Sequence, residues 1–334
     1  EPPDSFQAHT GAELLEYANN HQAQDISGLY QEFGLNEALP AGLLDLVTTD
    51  GQRYSIPLNA RRVNVLWASI PALERAGIDP DGIGYASYAD FFEDLDRIKA
   101  ADPEIVPLAL GTTWTQVHLL ETVLMAELGP EAYNGLWNGA TDPAGPAVGA
   151  ALAVFAKALT YTNADAEDHD WAGPIEMLCD GRAAFSVTGD WAASLFDSQS
   201  KVMGADWAWA PAPGSAGVYG FMGDSFALPY GPAHPDGAEA WLEVVASAQG
   251  QAAFSLAAGS IPARTDADLS GFSEYQKQAA ESYAADIILG SIYHGAAATA
   301  AQSAAITDAV GRYRADGDLA ALQTEFADAI VLAA

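Results

Sequence analysis

Basic residues are scarce in this chain and cysteine is nearly absent. Four lysines and nine arginines stand against 45 acidic side chains, for a formal net charge of −32. Nucleic acid and anionic membrane surfaces would be repelled by such a charge and are excluded as partners. An excess of carboxylates with so few lysines suits solution in high salt, where repulsion is screened, and a salt-loving source is expected. The single cysteine, Cys179, rules out an internal disulfide and a cysteine-rich metal site. Beside Met177 and Leu178 it reads as a small buried hydrophobe, not a nucleophile. There is no apolar run of about 18 residues, so nothing in the sequence spans a bilayer. The opening Glu1-Pro2-Pro3 has neither a charged n-region nor an apolar h-region. Any export signal is therefore expected to have been removed or left out.

Catalytic signatures are missing as well. The sequence has no G-x-S-x-G, H-E-x-x-H, G-x-x-x-x-G-K-[ST] or full G-x-G-x-x-G, and Gly82-Ile83-Gly84 is too short a fragment to count. The six histidines lack the paired spacing of a zinc site. Asp165, Glu167, Asp168, His169 and Asp170 form an acidic cluster without the glycine and alternating oxygens of a calcium loop, and read as a solvated turn. No metal and no cofactor is implied.

What is present is a chain that is 50% hydrophobic, able to bury a large core and long enough to favour two lobes. Helical periodicity marks residues 11–18, 88–98 with Ser87 as N-cap, 117–128, 147–161, 238–248, 302–313 and 319–332. Short apolar runs bounded by Pro or Gly, at residues 53–58, 63–67, 106–110, 183–187 and 225–229, read as strands. Strands and helices interleaved at this spacing predict an α/β architecture with ligand groups on loops at strand ends.

The stretch from Ala183 to Ala192 joins one such strand to Gly189-Asp190-Trp191. An Asp beside a Trp suits a sugar: the carboxylate accepts hydroxyl hydrogen bonds while the indole covers the apolar C–H face of the ring. The competing reading is a core Trp after a turn, with Asp190 capping the next helix. Comparable side chains stand at other strand ends: Gln7 and His9, Trp114 and Gln116, Asp224, and His294. Taken singly, each also reads as ordinary packing, as does His118. As a set of amide, imidazole, carboxylate and indole groups they have the composition of a neutral polyol site.

Several runs in order resemble the extracellular sugar-binding proteins that feed ABC importers, the family of the maltose- and glucose-binding proteins. They are residues 3–9 (PDSFQAH), 55–59 (SIPLN) with 64–67 (NVLW), 181–184 (GRAA) with 189–192 (GDWA), and 259–264 (GSIPAR). The likeness spans nearly the whole chain and is strongest to the monosaccharide (glucose/galactose) branch, in which residues at the positions of Gln7, His9, Trp191, Asp224 and His294 touch the sugar. The resemblance implies a two-lobed periplasmic-binding-protein-like α/β fold with a hinge. One lobe would comprise residues 1–64 and 226–289, the other 65–225 and 290–334, with crossings near Pro57-Leu58-Asn59 and residues 221–226. It implies a non-enzymatic protein that binds a neutral sugar in the interlobe cleft and delivers it to an ABC permease. The location would be periplasmic or extracellular, with a lipid anchor on an upstream segment. Members of the family open with a β-α-β stretch bearing a Trp pair and a Glu ahead of the Pro-Asp-Ser-Phe run, so an incomplete N-terminal lobe is expected here. The chain also has Ala258 and Ala60 where the family often has Lys and His. Two rivals remain: a carbohydrate-active hydrolase using paired carboxylates, and a sensor whose closed lobes dock on a receptor.

Overall fold

The computed structural model describes residues 2–332; expectations that fall on Glu1 and on residues 333–334 lie outside that range. The described chain divides into two compact α/β units, residues 2–62 with 221–300 and residues 63–220 with 301–332. It passes from one to the other after residues 62, 220 and 300.

In the first unit, Phe6–His9 and Ser55–Pro57 flank Asp224–Ala227 in a three-stranded antiparallel sheet. The register sets Phe6 opposite Ala227 and His9 opposite Asp224. Alternation along Phe6–His9 sends Phe6 and Ala8 to the face that packs with Leu14, Ala23 and Ala227, and leaves Gln7 and His9 on the other. A four-stranded sheet runs Ile261–Pro262, Asn59–Arg62, Val218–Met222, Ile287–Gly290, the third strand belonging to this unit from Phe221 onward. The single strand expected at 53–58 is thus two, Ser55–Pro57 and Asn59–Arg62, in different sheets. The chain changes partner at Leu58, whose N–H donates to the Asp224 carbonyl at 2.8 Å.

Asp224 and His294, grouped from sequence with residues 65–225 and 290–334, fall in this first unit. Strand pairing with Phe6–His9 and Ser55–Pro57 holds Asp224. Backbone bonds from Ser291 N–H to Phe221 and from Glu13 N–H to Gly295 hold the segment that bears His294.

The second unit is built on a sheet in the order Val106–Ala109, Ala183–Thr188, Val65–Ser69, Trp207–Pro211. Ala183–Thr188 is buried at every residue, as a central strand with both faces covered must be. Only its pairing with Val106–Ala109 is parallel; the other two pairs are antiparallel. The helix Tyr88–Ala101 starts where its cap was expected, with Ser87 Oγ accepting from the Asp90 N–H, and buries Tyr88, Phe91, Phe92, Leu95 and Ile98. Phe91 meets Phe185 of the central strand edge to face at 5.1 Å. The helix expected over 117–128 is longer, Thr113–Asn138, and broken at Gly129 (φ +71°) before Pro130. Helices at Ala192–Ser198, Ala248–Ala258 and Glu274–Ala285 were not foreseen, because they are short or rich in Ala, Gln and Ser and carry little apolar periodicity. Among the described residues no helix is long and apolar enough to cross a membrane.

Candidate functional site

The polar residues singled out from sequence gather in two clusters, one in each unit. In the first unit the antiparallel register places Gln7, His9 and Asp224 on one face. Gln7 Nε2 reaches diagonally along the ladder to Asp224 Oδ1 at 2.7 Å. Asn59, fully buried, donates from Nδ2 to Asp224 Oδ2 at 3.0 Å and accepts the Asp224 backbone N–H at 2.8 Å. Both carboxylate oxygens of Asp224 are therefore oriented by amides, which fixes the plane in which further hydroxyl hydrogens are accepted.

His9 Nδ1 lies 2.7 Å from Glu13 Oε2, and its ring centroid is 5.9 Å from that of His294, edge to face. The contact depends on Gly11, at φ +117°, where an added Cβ would lie 2.2 Å from the Ala296 carbonyl oxygen. Without a side chain there, the start of the helix Ala12–Asn19 docks on the 291–296 segment through Ala12 N–H to Ala296 and Glu13 N–H to Gly295. The Glu13 hydrogen bond raises the His9 pKa above its ordinary value against the opposing pull of burial. Burial alone would raise Glu13, but the bond to His9 and its charge hold the carboxyl below the usual range. His294 moves the other way: burial first, then the charges of His9 and Arg61, push it down to about 3. At neutral pH this cluster holds a neutral imidazole at His294 beside an imidazole–carboxylate pair.

In the second unit the parallel pairing of Val106–Ala109 with Ala183–Thr188 sends both C-terminal strand ends to the same edge of the sheet. Trp114, in the first turn of the helix after one strand, and Trp191, in the turn after the other, meet there at 6.2 Å between ring centroids, tilted by 39°. Both are half-buried. His118 lies edge-on to each indole at 5.3 Å. The Trp191 ring folds back over Gly189, where an added Cβ would fall 2.1 Å from a ring carbon. Asp190 is 1% exposed, and its backbone carbonyl accepts the Ala193 N–H at 3.1 Å at the start of the helix Ala192–Ser198.

Gln116 departs from the sequence reading. It is fully buried, and its Nε2 donates to the Gly111 carbonyl at 3.0 Å and to Glu167 Oε1 at 2.7 Å, so it braces a loop from inside. Helical geometry signalled this: positions i and i+4 share a face and i+2 does not, so Trp114 goes with His118 and not with Gln116. His118, read from sequence as packing, is fully buried and packs against both indoles. Glu13, four residues after His9, and Asn59 were not singled out from sequence.

Among the described residues no group of three or more His, Cys, Asp or Glu side chains is disposed to hold a metal ion. The acidic cluster is engaged by hydrogen bonds: Asp165 with Asn163 and His169, Glu167 with Thr113 and Gln116, Asp170 with Trp114. Cys179 is buried, and burial pushes its thiol up to about 11, so it is a poor nucleophile.

An uncharacterized ABC transporter extracellular-binding protein of Pyrococcus horikoshii is 29% identical over 333 residues, 98% of this chain and 74% of that protein. A probable sugar-binding periplasmic protein of Mesorhizobium japonicum is 27% identical over 311 residues, covering 91% of this chain and 73% of the relative. Among solved structures, the bacterial solute receptor AcbH, which has an exclusive substrate preference for b-D-galactopyranose, superposes with a TM-score of 0.81 at 15% identity, over 98% of this chain and 84% of its own. That likeness is one of fold. The family model of the bacterial extracellular solute-binding proteins matches residues 7–252, and the chain belongs to that family.

Proposed function

We propose that this protein binds a neutral sugar, a monosaccharide of the glucose/galactose type, and hands it unchanged to the permease of an ABC importer. The observation that carries this reading is the pair of half-buried indoles, Trp114 and Trp191, at the ends of two parallel strands. Tilted aromatic faces offer a pyranose an apolar cover for its C–H surface. The first unit, by itself, carries a set of donors and acceptors for hydroxyls: Gln7, His9, the amide-oriented Asp224 and the neutral His294. The relatives named above support an extracellular or periplasmic setting and a sugar as solute; a lipid anchor belongs to the same proposal.

Calorimetric titration with D-glucose, D-galactose, D-xylose and maltose in 2 M salt tests it. One of these binds at one site per chain, a hexose more tightly than maltose, and is recovered unhydrolysed. Trp191→Ala weakens that binding about tenfold or more, since a lost stacking face is worth on the order of 1–2 kcal/mol. A folded sample that gives no heat with any of the four sinks the reading.

A further inference from the structure

Trp114 does not stand by itself at its strand end. Its indole Nε1–H donates to Asp170 Oδ1 at 2.9 Å, and that same oxygen accepts the backbone N–H of Trp171 at 2.8 Å, which fixes the carboxylate. Two residues along the helix, Gln116 Nε2 is held by Glu167 Oε1 at 2.7 Å, and Thr113 Oγ1 by the same oxygen at 3.2 Å. The loop is pinned to the backbone as well: Thr112 N–H donates to the His169 carbonyl at 2.7 Å, and Leu110 N–H to Asn163 Oδ1 at 2.9 Å. Gly111 admits this approach, since an added Cβ would lie 2.5 Å from the His169 oxygen and 3.0 Å from that of Asp170.

Four carboxylates lie within residues 165–170, and all four are exposed. Here two of the four take hydrogens from the first turn of the Trp114 helix. We infer that Asp170, supported by Glu167, is a positioning residue that sets the tilt of the Trp114 indole and so the strength of sugar stacking. Turning the indole about its side-chain torsions would break a charge-assisted bond from a neutral N–H, the stronger kind of hydrogen bond. The inference rests on the stacking role proposed for Trp114.

The test compares Asp170→Ala, Asp170→Asn, Trp114→Phe and the double variant Asp170→Ala/Trp114→Phe, each titrated with the same four sugars. The Trp114 indole N–H is followed by NMR in parallel. Asp170→Ala is expected to weaken sugar binding about fivefold or more, while Asp170→Asn, which keeps an acceptor oxygen, stays within about twofold. The double variant binds no more weakly than Trp114→Phe, because phenylalanine has no N–H for Asp170 to hold. The indole resonance shifts and exchanges faster in Asp170→Ala and not in Asp170→Asn. If wild type binds a sugar and Asp170→Ala binds it equally well, or if the two losses add in the double variant, the inference is overturned and the sugar reading stands. If wild type binds none of the four, the sugar reading fails, and an indole resonance unmoved in Asp170→Ala removes the clamp too.

Discussion

His294 gives the most direct handle on the polar cluster of the first unit. Its imidazole is held down to about 3 against an ordinary value of 6.5, by burial first and then by His9 and Arg61. Between these two values the unfolded chain binds a proton there that the folded chain does not, so stability rises with pH and is lost on acidification. Each unit of pH in that window is worth about 1.4 kcal/mol, and lowering the pH from 7 to 5 removes about 2 kcal/mol through this one side chain. The neighbours act outside this range or in the opposite sense. His9, raised by Glu13, contributes stability that is present below 6.5 and lost as pH rises through its folded value. Glu13, lowered, contributes stability above its ordinary 4.5 that is lost only in more acid solution. Neutralising the surface carboxylates relieves repulsion in wild type and variant alike, so the informative quantity is the difference between them. Urea denaturation of wild type and His294→Asn at pH 7 and pH 5 should show wild type losing about 2 kcal/mol more than the variant over that interval. NMR titration should find the His294 ring neutral throughout. Equal losses in the two proteins would refute the reasoning, because they would mean that His294 takes up its proton as readily folded as unfolded.

Two further outcomes follow from the geometry. Gly189→Ala would put a methyl group 2.1 Å from the Trp191 ring, so the indole must move; sugar affinity should fall about tenfold with a shift in tryptophan fluorescence, and unchanged binding would show that the ring position is irrelevant. Asp224→Asn would set an amide nitrogen against Gln7 Nε2 or Asn59 Nδ2, donor facing donor, and should lower stability by about 1–3 kcal/mol in denaturation experiments.

What the sequence made legible was whatever depends on spacing along one element. The Ser87 cap, the buried stripe from Tyr88 to Ile98 and the apolar strand Ala183–Thr188 all follow from periods of 3.6 and 2 and from side-chain chemistry. The Trp114–Trp191 pair lay within reach of the same logic, since once two strands run parallel their following loops emerge together. Partnerships between distant segments were not legible in this way. Asn59 orients Asp224 from 165 residues away, and only the switch of sheet partners at Leu58 turns its amide toward that carboxylate. The acidic loop shows the same limit: its four carboxylates are exposed, as a solvated turn requires, but the side chains that Glu167 and Asp170 bind lie 51 to 56 residues earlier in the chain. The error at Gln116 differs in kind, because the helical face rule already separated it from Trp114. A polar residue beside an aromatic one at a strand end is therefore a ligand candidate only if both fall on one face; otherwise its place is behind the aromatic ring, holding the loop that aims it.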